Sequence, residues 1–133
     1  MKIFEKTSDS GFGARLNVVD ENNVVVGFDY ESQCYEDFGY YFTKDKPVDI
    51  SESNAIDENS FSHDGYVFDK KYYEEINLEN LSEDYDEGGA IVFKLTKGGE
   101  PDVYLVLFNH QNGYYSHGFD MISENVKIYD GDI

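Results

Sequence analysis

The stretch Ala90-Ile91-Val92-Phe93-Lys94-Leu95-Thr96-Lys97-Gly98-Gly99-Glu100-Pro101-Asp102-Val103-Tyr104-Leu105-Val106-Leu107-Phe108 decides the fold class. Two runs rich in β-branched, aromatic and leucine residues flank a four-residue turn, the pattern of a β-hairpin. Gly98 and Gly99 supply the positive φ angles that a tight hairpin turn demands. Pro101 falls at the start of the returning strand, where its missing N–H removes no interior ladder bond.

Working outward toward the C-terminus, Asn109-His110-Gln111-Asn112-Gly113 is a second turn signal, followed by Tyr114 through Ile122. Asn112-Gly113 favours a hairpin, so residues 90–122 are expected to form a three-stranded meander. Val126 to Tyr129 reads as a short final strand. Toward the N-terminus, Gly13 to Val19 and Asn23 to Tyr30 flank the polar turn Asp20-Glu21-Asn22, a further hairpin. Short strands also fit Ile3 to Thr7, Tyr40 to Thr43 and Gly65 to Asp69. Residues 44–60 read as an exposed acidic loop. Apolar spacing over 70–87 permits a short helix or an irregular excursion. The expected fold is mainly β, an antiparallel sandwich or half-barrel with one or two short helices, in a single domain over 1–133. The runner-up is α+β.

Charge is the strongest functional signal. Twenty-eight acidic residues face ten basic ones, a net charge of −18. Residues 20–90 hold twenty acids and four bases, a net of −16. Twelve tyrosines and ten phenylalanines supply a core, which separates this chain from acidic disordered segments. A small domain stays soluble with a net charge of about 2–8. The surplus steers a basic partner toward the protein, repels nucleic acid and disfavours anionic membrane. The bland alternative is an acidic protein whose charge serves solubility alone. No stretch reaches the roughly 20 apolar residues of a membrane span. Met1 to Lys6 carries no secretory h-region. The single Cys34 fits a reducing compartment, so the cytoplasm is expected.

Residues capable of chemistry are present without the patterns that chemistry requires. His110 and His117 flank the Asn112-Gly113 turn with Asp120 nearby, and such a trio raises a metal site. The tight ligand spacing of zinc sites is missing, so no metal and no cofactor are expected. Cys34 sits among Glu31, Glu36 and Asp37, which raise a thiol's pKa rather than activating it. Adjacent acid pairs such as Glu74-Glu75 and Glu83-Asp84 arise by chance in so acidic a chain. They are a weak basis for a carboxylate hydrolase. Asp84-Tyr85-Asp86-Glu87-Gly88 matches only the opening of a calcium loop. A non-catalytic protein is expected.

Tyrosine offers large contact area, a polar tip and little rotamer entropy, which suits interfaces. Tyr40, Tyr41, Tyr114 and Tyr115, the acids Glu36, Asp37 and Asp120, and His117 form the candidate partner-binding set. Residues 112–120, read as an edge strand with Gly118 marking a bulge or close approach, are the candidate docking element. Burial of the same side chains in a core is the competing reading.

With these features, Glu36, Asp37, Tyr114 and Tyr115 among them, the chain resembles the immunity proteins of contact-dependent growth inhibition systems. The resemblance lies in overall character and assigns no residue by position. It implies a cytoplasmic, β-rich, acidic inhibitor that binds a secreted toxin, in some members a nuclease held by β-augmentation. Neutralisation of a basic nuclease toxin by stoichiometric binding is the expected function. A phage-type DNA mimic or anti-defence protein is the alternative, and a small carboxylate-dependent hydrolase ranks below it.

Overall fold

A computed structural model describes residues 1–6, 14–30, 37–47, 55–57, 62–77, 87–111 and 116–133. Ten strands run in chain order: β1 (Lys2–Lys6), β2 (Arg15–Val19), β3 (Val25–Asp29), β4 (Asp37–Thr43), β5 (Val67–Phe68), β6 (Glu74–Asn77), β7 (Glu87–Lys97), β8 (Glu100–Gln111), β9 (Gly118–Ser123) and β10 (Val126–Asp132). They build two antiparallel sheets. Sheet A has the order β1-β2-β3-β9-β10, and sheet B the order β4-β8-β7-β5, with β6 also on β7. The mainly β expectation holds, and no helix occurs among the described residues.

Alternation places one side chain in two between the layers. Leu16, Val18, Val26, Phe28, Phe119 and Met121 of sheet A meet Phe42, Ile91, Phe93, Leu95, Leu105 and Leu107 of sheet B in one core. Sheet B is buried on its other face too, where Tyr41, Ala90, Val92, Val106 and Phe108 form a second cluster with Tyr72, Ile76 and Tyr104 against it. This explains the near-continuous apolar runs of β7 and β8. Strand β3 runs across sheet B from edge to edge: Asp20, before it, meets β5 at Phe68, and Tyr30, after it, meets Phe38 and Tyr40 of β4.

The β7–β8 hairpin forms as expected, with Lys97 opposite Glu100, though Gly99 alone takes a positive φ (80°). The β2–β3 hairpin also forms. The meander over 90–122 does not. Strand β9 leaves sheet B and pairs with β3 on one side and β10 on the other, so it is an interior strand of sheet A. Its turn signal Asn112-Gly113 lies outside the described residues. The helix permitted over 70–87 is replaced at Glu74–Asn77 by β6, which pairs with Gly89 to Val92 of β7. The reason is the exposed ladder of β7: an edge with unpaired N–H and C=O groups recruits an extended segment more strongly than a weak local helical spacing resists. Residues 78–86 lie outside the described set.

Candidate interaction surface

Cross-strand register defines the outer face of sheet A. One row reads Lys2, Val19, Val25, Ile122 and Lys127 across the five strands. The next row reads Phe4, Asn17, Gly27, Asp120 and Asp130. Beyond it lie Arg15 opposite Asp29, and Gly118 opposite Asp132. None of Phe4, Val19, Val25 and Ile122 belongs to either buried cluster, and Phe4 is 51% exposed.

Arg15 reaches across β3 to Asp120, Nη2 to Oδ1 at 2.6 Å, while its Nε donates to Asn17 Oδ1 at 3.0 Å. The crossing is possible because Gly27 has no side chain: a Cβ there would run into the Arg15 guanidinium. Asp120 and Asp130 sit directly opposite one another, an arrangement that repels. Arg15 compensates the first, and Lys127 lies 3.8 Å from the second. Asp29, Asp120, Asp130 and Asp132 share a depression of about 420 Å³ with these two cations.

The outer face of sheet B carries a different chemistry. Lys46 pairs with Glu74 at 2.8 Å, and Lys94 lies over the Tyr72 ring and 3.5 Å from Asp102. The hydrogen bond from Lys46 lowers the Glu74 pKa, and the same pair raises that of Lys46. Burial, with neighbouring acids second, raises the pKa values of Tyr66, Tyr72 and Tyr73. These phenols stay protonated at neutral pH, and the Tyr66 hydroxyl donates to the Pro101 carbonyl and that of Tyr73 to Glu75 Oε1.

The residues singled out in the sequence scatter over three environments. Asp37 is exposed at the start of β4, opposite His110. Tyr40 is half-buried against the main core, its ring 6.3 Å from Tyr30 and 6.2 Å from Phe42. Tyr41 points the other way and is buried on the outer face of sheet B beside Phe108. His117 is 1% exposed, its ring 4.3 Å from Phe38 and 5.6 Å from Phe28, with Nδ1 hydrogen-bonded to the Asp29 carbonyl. Its backbone exchanges both hydrogen bonds with Ile133, one pair beyond the β9–β10 ladder. Asp120 lies on the outer face of sheet A. Glu36, Tyr114 and Tyr115 fall outside the described residues. The edge-strand reading of 112–120 is corrected over Gly118 to Asp120, because both sides of β9 are occupied.

His110 and His117 do not face each other across a hairpin, since β8 and β9 belong to different sheets. Among the described residues, no group of three or more His, Cys, Asp or Glu side chains is placed to hold a metal ion. No helix among them is long and apolar enough to cross a membrane. Sequence reasoning did not single out Arg15, Gly27 or Asp20. A lone glycine inside a strand was the available signal for the close approach at Gly27.

Comparison with protein-family models, with curated proteins and with solved structures finds no match for this chain.

Proposed function

We propose that this protein is a stoichiometric inhibitor that binds and neutralises a basic bacterial toxin, most fittingly a nuclease. The observation that carries the reading is the charge of −18 on a chain with an ordinary β-sheet core. Such a charge exceeds what solubility asks and suits capture of a protein that is itself basic where it grips nucleic acid.

The proposal expects a secreted toxin to be encoded by a neighbouring gene, and co-expression with that product tests it. Cells are expected to survive the toxin, and the purified pair to form a 1:1 complex with nuclease activity at background. A protein that leaves toxin activity intact at molar excess defeats the reading. Binding to a DNA-handling enzyme, with displacement by duplex DNA, supports the DNA-mimic alternative instead.

A further inference from the structure

We propose that Tyr73 and Tyr129 form an oxidative cross-linking site: a one-electron oxidant couples their rings carbon to carbon and staples the two sheets together. The site is separate from toxin binding and stands or falls without it.

Geometry sets this pair apart. The two rings stack with centroids 4.7 Å apart and an interplanar angle of 10°. Among the described residues, the other tyrosine pairs in ring contact are wider and more tilted. Tyr72 and Tyr104 lie at 5.8 Å and 58°, Tyr30 and Tyr40 at 6.3 Å and 56°. Near-parallel rings at the closer spacing hold carbons of one against carbons of the other, at about the 3.5–4.0 Å of van der Waals contact. Tyr73 immediately precedes β6, which pairs with β7 of sheet B, and Tyr129 lies on β10, the last strand of sheet A. Both pack against the main core, so the reacting rings are already positioned and no encounter has to be awaited.

Composition directs oxidation to the phenols. The chain contains no tryptophan, which leaves tyrosine the readiest electron donor among its aromatic side chains. Its single cysteine has no second thiol in the chain to pair with, so an internal oxidative staple has to be built from other groups. The two phenols differ in where a proton can go. The Tyr73 hydroxyl donates to Glu75 Oε1 at 2.7 Å, a charge-assisted bond to a base able to take the proton. The Tyr129 hydroxyl donates to the Lys70 carbonyl at 3.0 Å, which is no base. Tyr73 therefore gives up its electron first, and its proton passes to Glu75. The oxidant then takes an electron from Tyr129, whose proton leaves to solvent. The two phenoxyl radicals join through carbons ortho to their oxygens. Each ring then moves the hydrogen from its joined carbon to its oxygen, which restores both phenols. Two electrons reach the oxidant and two protons leave, so the linked protein is two hydrogen atoms lighter.

The test exposes the purified protein to a ruthenium(III) complex generated by light and persulfate, a one-electron oxidant. Linked peptides are then mapped by mass spectrometry. The 73–129 link is expected within single chains, at least tenfold above any other tyrosine pair. Tyr73→Phe and Tyr129→Phe, which keep a ring in the stack, are each expected to abolish it. Tyr104→Phe should change its yield less than twofold. Glu75→Gln keeps a hydrogen-bond acceptor but removes the base, and should slow the link severalfold. In urea the preference for 73–129 should vanish. The linked protein should melt about 5–10 °C higher, because the link closes a long loop in the unfolded chain. Links spread evenly over the tyrosines, or a 73–129 link formed as readily in urea as in buffer, overturn the proposal. An unchanged rate in Glu75→Gln overturns the proton route through that carboxylate.

Discussion

Asp20 is 4% exposed, yet its carboxylate is well served: Oδ1 accepts from the N–H groups of Asn22 and Val24, and Oδ2 from that of Phe68, each at 2.9 Å. Two of these bonds shape the β2–β3 turn, and the third ties that turn to β5 in the opposite sheet. In Asp20→Asn the oxygen can keep the turn, but the amide nitrogen confronts the Phe68 N–H, donor against donor. The expected cost is about 1–3 kcal/mol, read from urea unfolding. An unchanged midpoint would show that the bond between the sheets adds nothing. Gly27 poses a steric version of the same question. Gly27→Ala drives the Arg15 guanidinium off Asp120, whereas in an Arg15→Ala background the new methyl meets only the Asp120 carboxylate, at 2.7 Å from Oδ1. A double-mutant cycle should therefore return a coupling of about 0.5–3 kcal/mol, and additivity would refute the crossing geometry.

At the scale of elements, several edge strands carry features that hinder edge-to-edge pairing. The outward N–H of Phe68 on β5 is taken by Asp20, and the Phe42 carbonyl on β4 accepts from Ile56 N–H at 2.7 Å. Strand β10 carries a register shift between Lys127 and Tyr129, a device that twists an edge away from flat pairing. Tyr129 then stacks on Tyr73, centroids 4.7 Å apart, and its hydroxyl donates to the Lys70 carbonyl at 3.0 Å. Tyr129→Ala should unlatch this side, accelerating amide exchange in β10 more than in β7 or β8. Uniform acceleration would mean that the latch acts only through global stability.

The Lys46–Glu74 pair reaches from the segment after β4 to β6 at the far edge of sheet B. Because the Glu74 pKa is lowered on folding, the pair stabilises above the ordinary glutamate range and is lost as pH falls through the folded value. Melting temperatures of wild type and Glu74→Gln should therefore differ at about pH 7 and converge toward about pH 3. A gap independent of pH would exclude an electrostatic origin.

For the whole molecule, the excess of eighteen negative charges sets a long-range field whose reach is about 8 Å at physiological ionic strength. Association with a basic partner should slow steeply as salt rises, with dissociation nearly constant, because peripheral charges act on encounter rather than on the docked complex. Stopped-flow mixing at several salt concentrations separates the two rates. A flat association rate would leave the charge a solubility device.

Local physics determined much of this protein before any tertiary contact was known. Alternation and turn chemistry sufficed for the β2–β3 and β7–β8 hairpins and for the approximate places of β1, β4, β5 and β10. Each depends on residues a few positions apart. Composition alone yielded the charge and the sufficiency of the core. Partnership between distant segments was decided by the folded structure. Strand β9 follows a turn signal after β8, yet Phe119 and Met121 enter the core from the opposite layer, and no local rule says which sheet a strand joins. Strand β6 exists because β7 had an edge to pair. The faces of Tyr41 and His117 hung on register, since a side chain with both an apolar body and a polar tip is at home in either a core or an interface. Asp120 was visible as an acid, but its ion pair joins residues 105 positions apart through the space left by Gly27. Such a contact is a property of packing, and only the packed chain displays it.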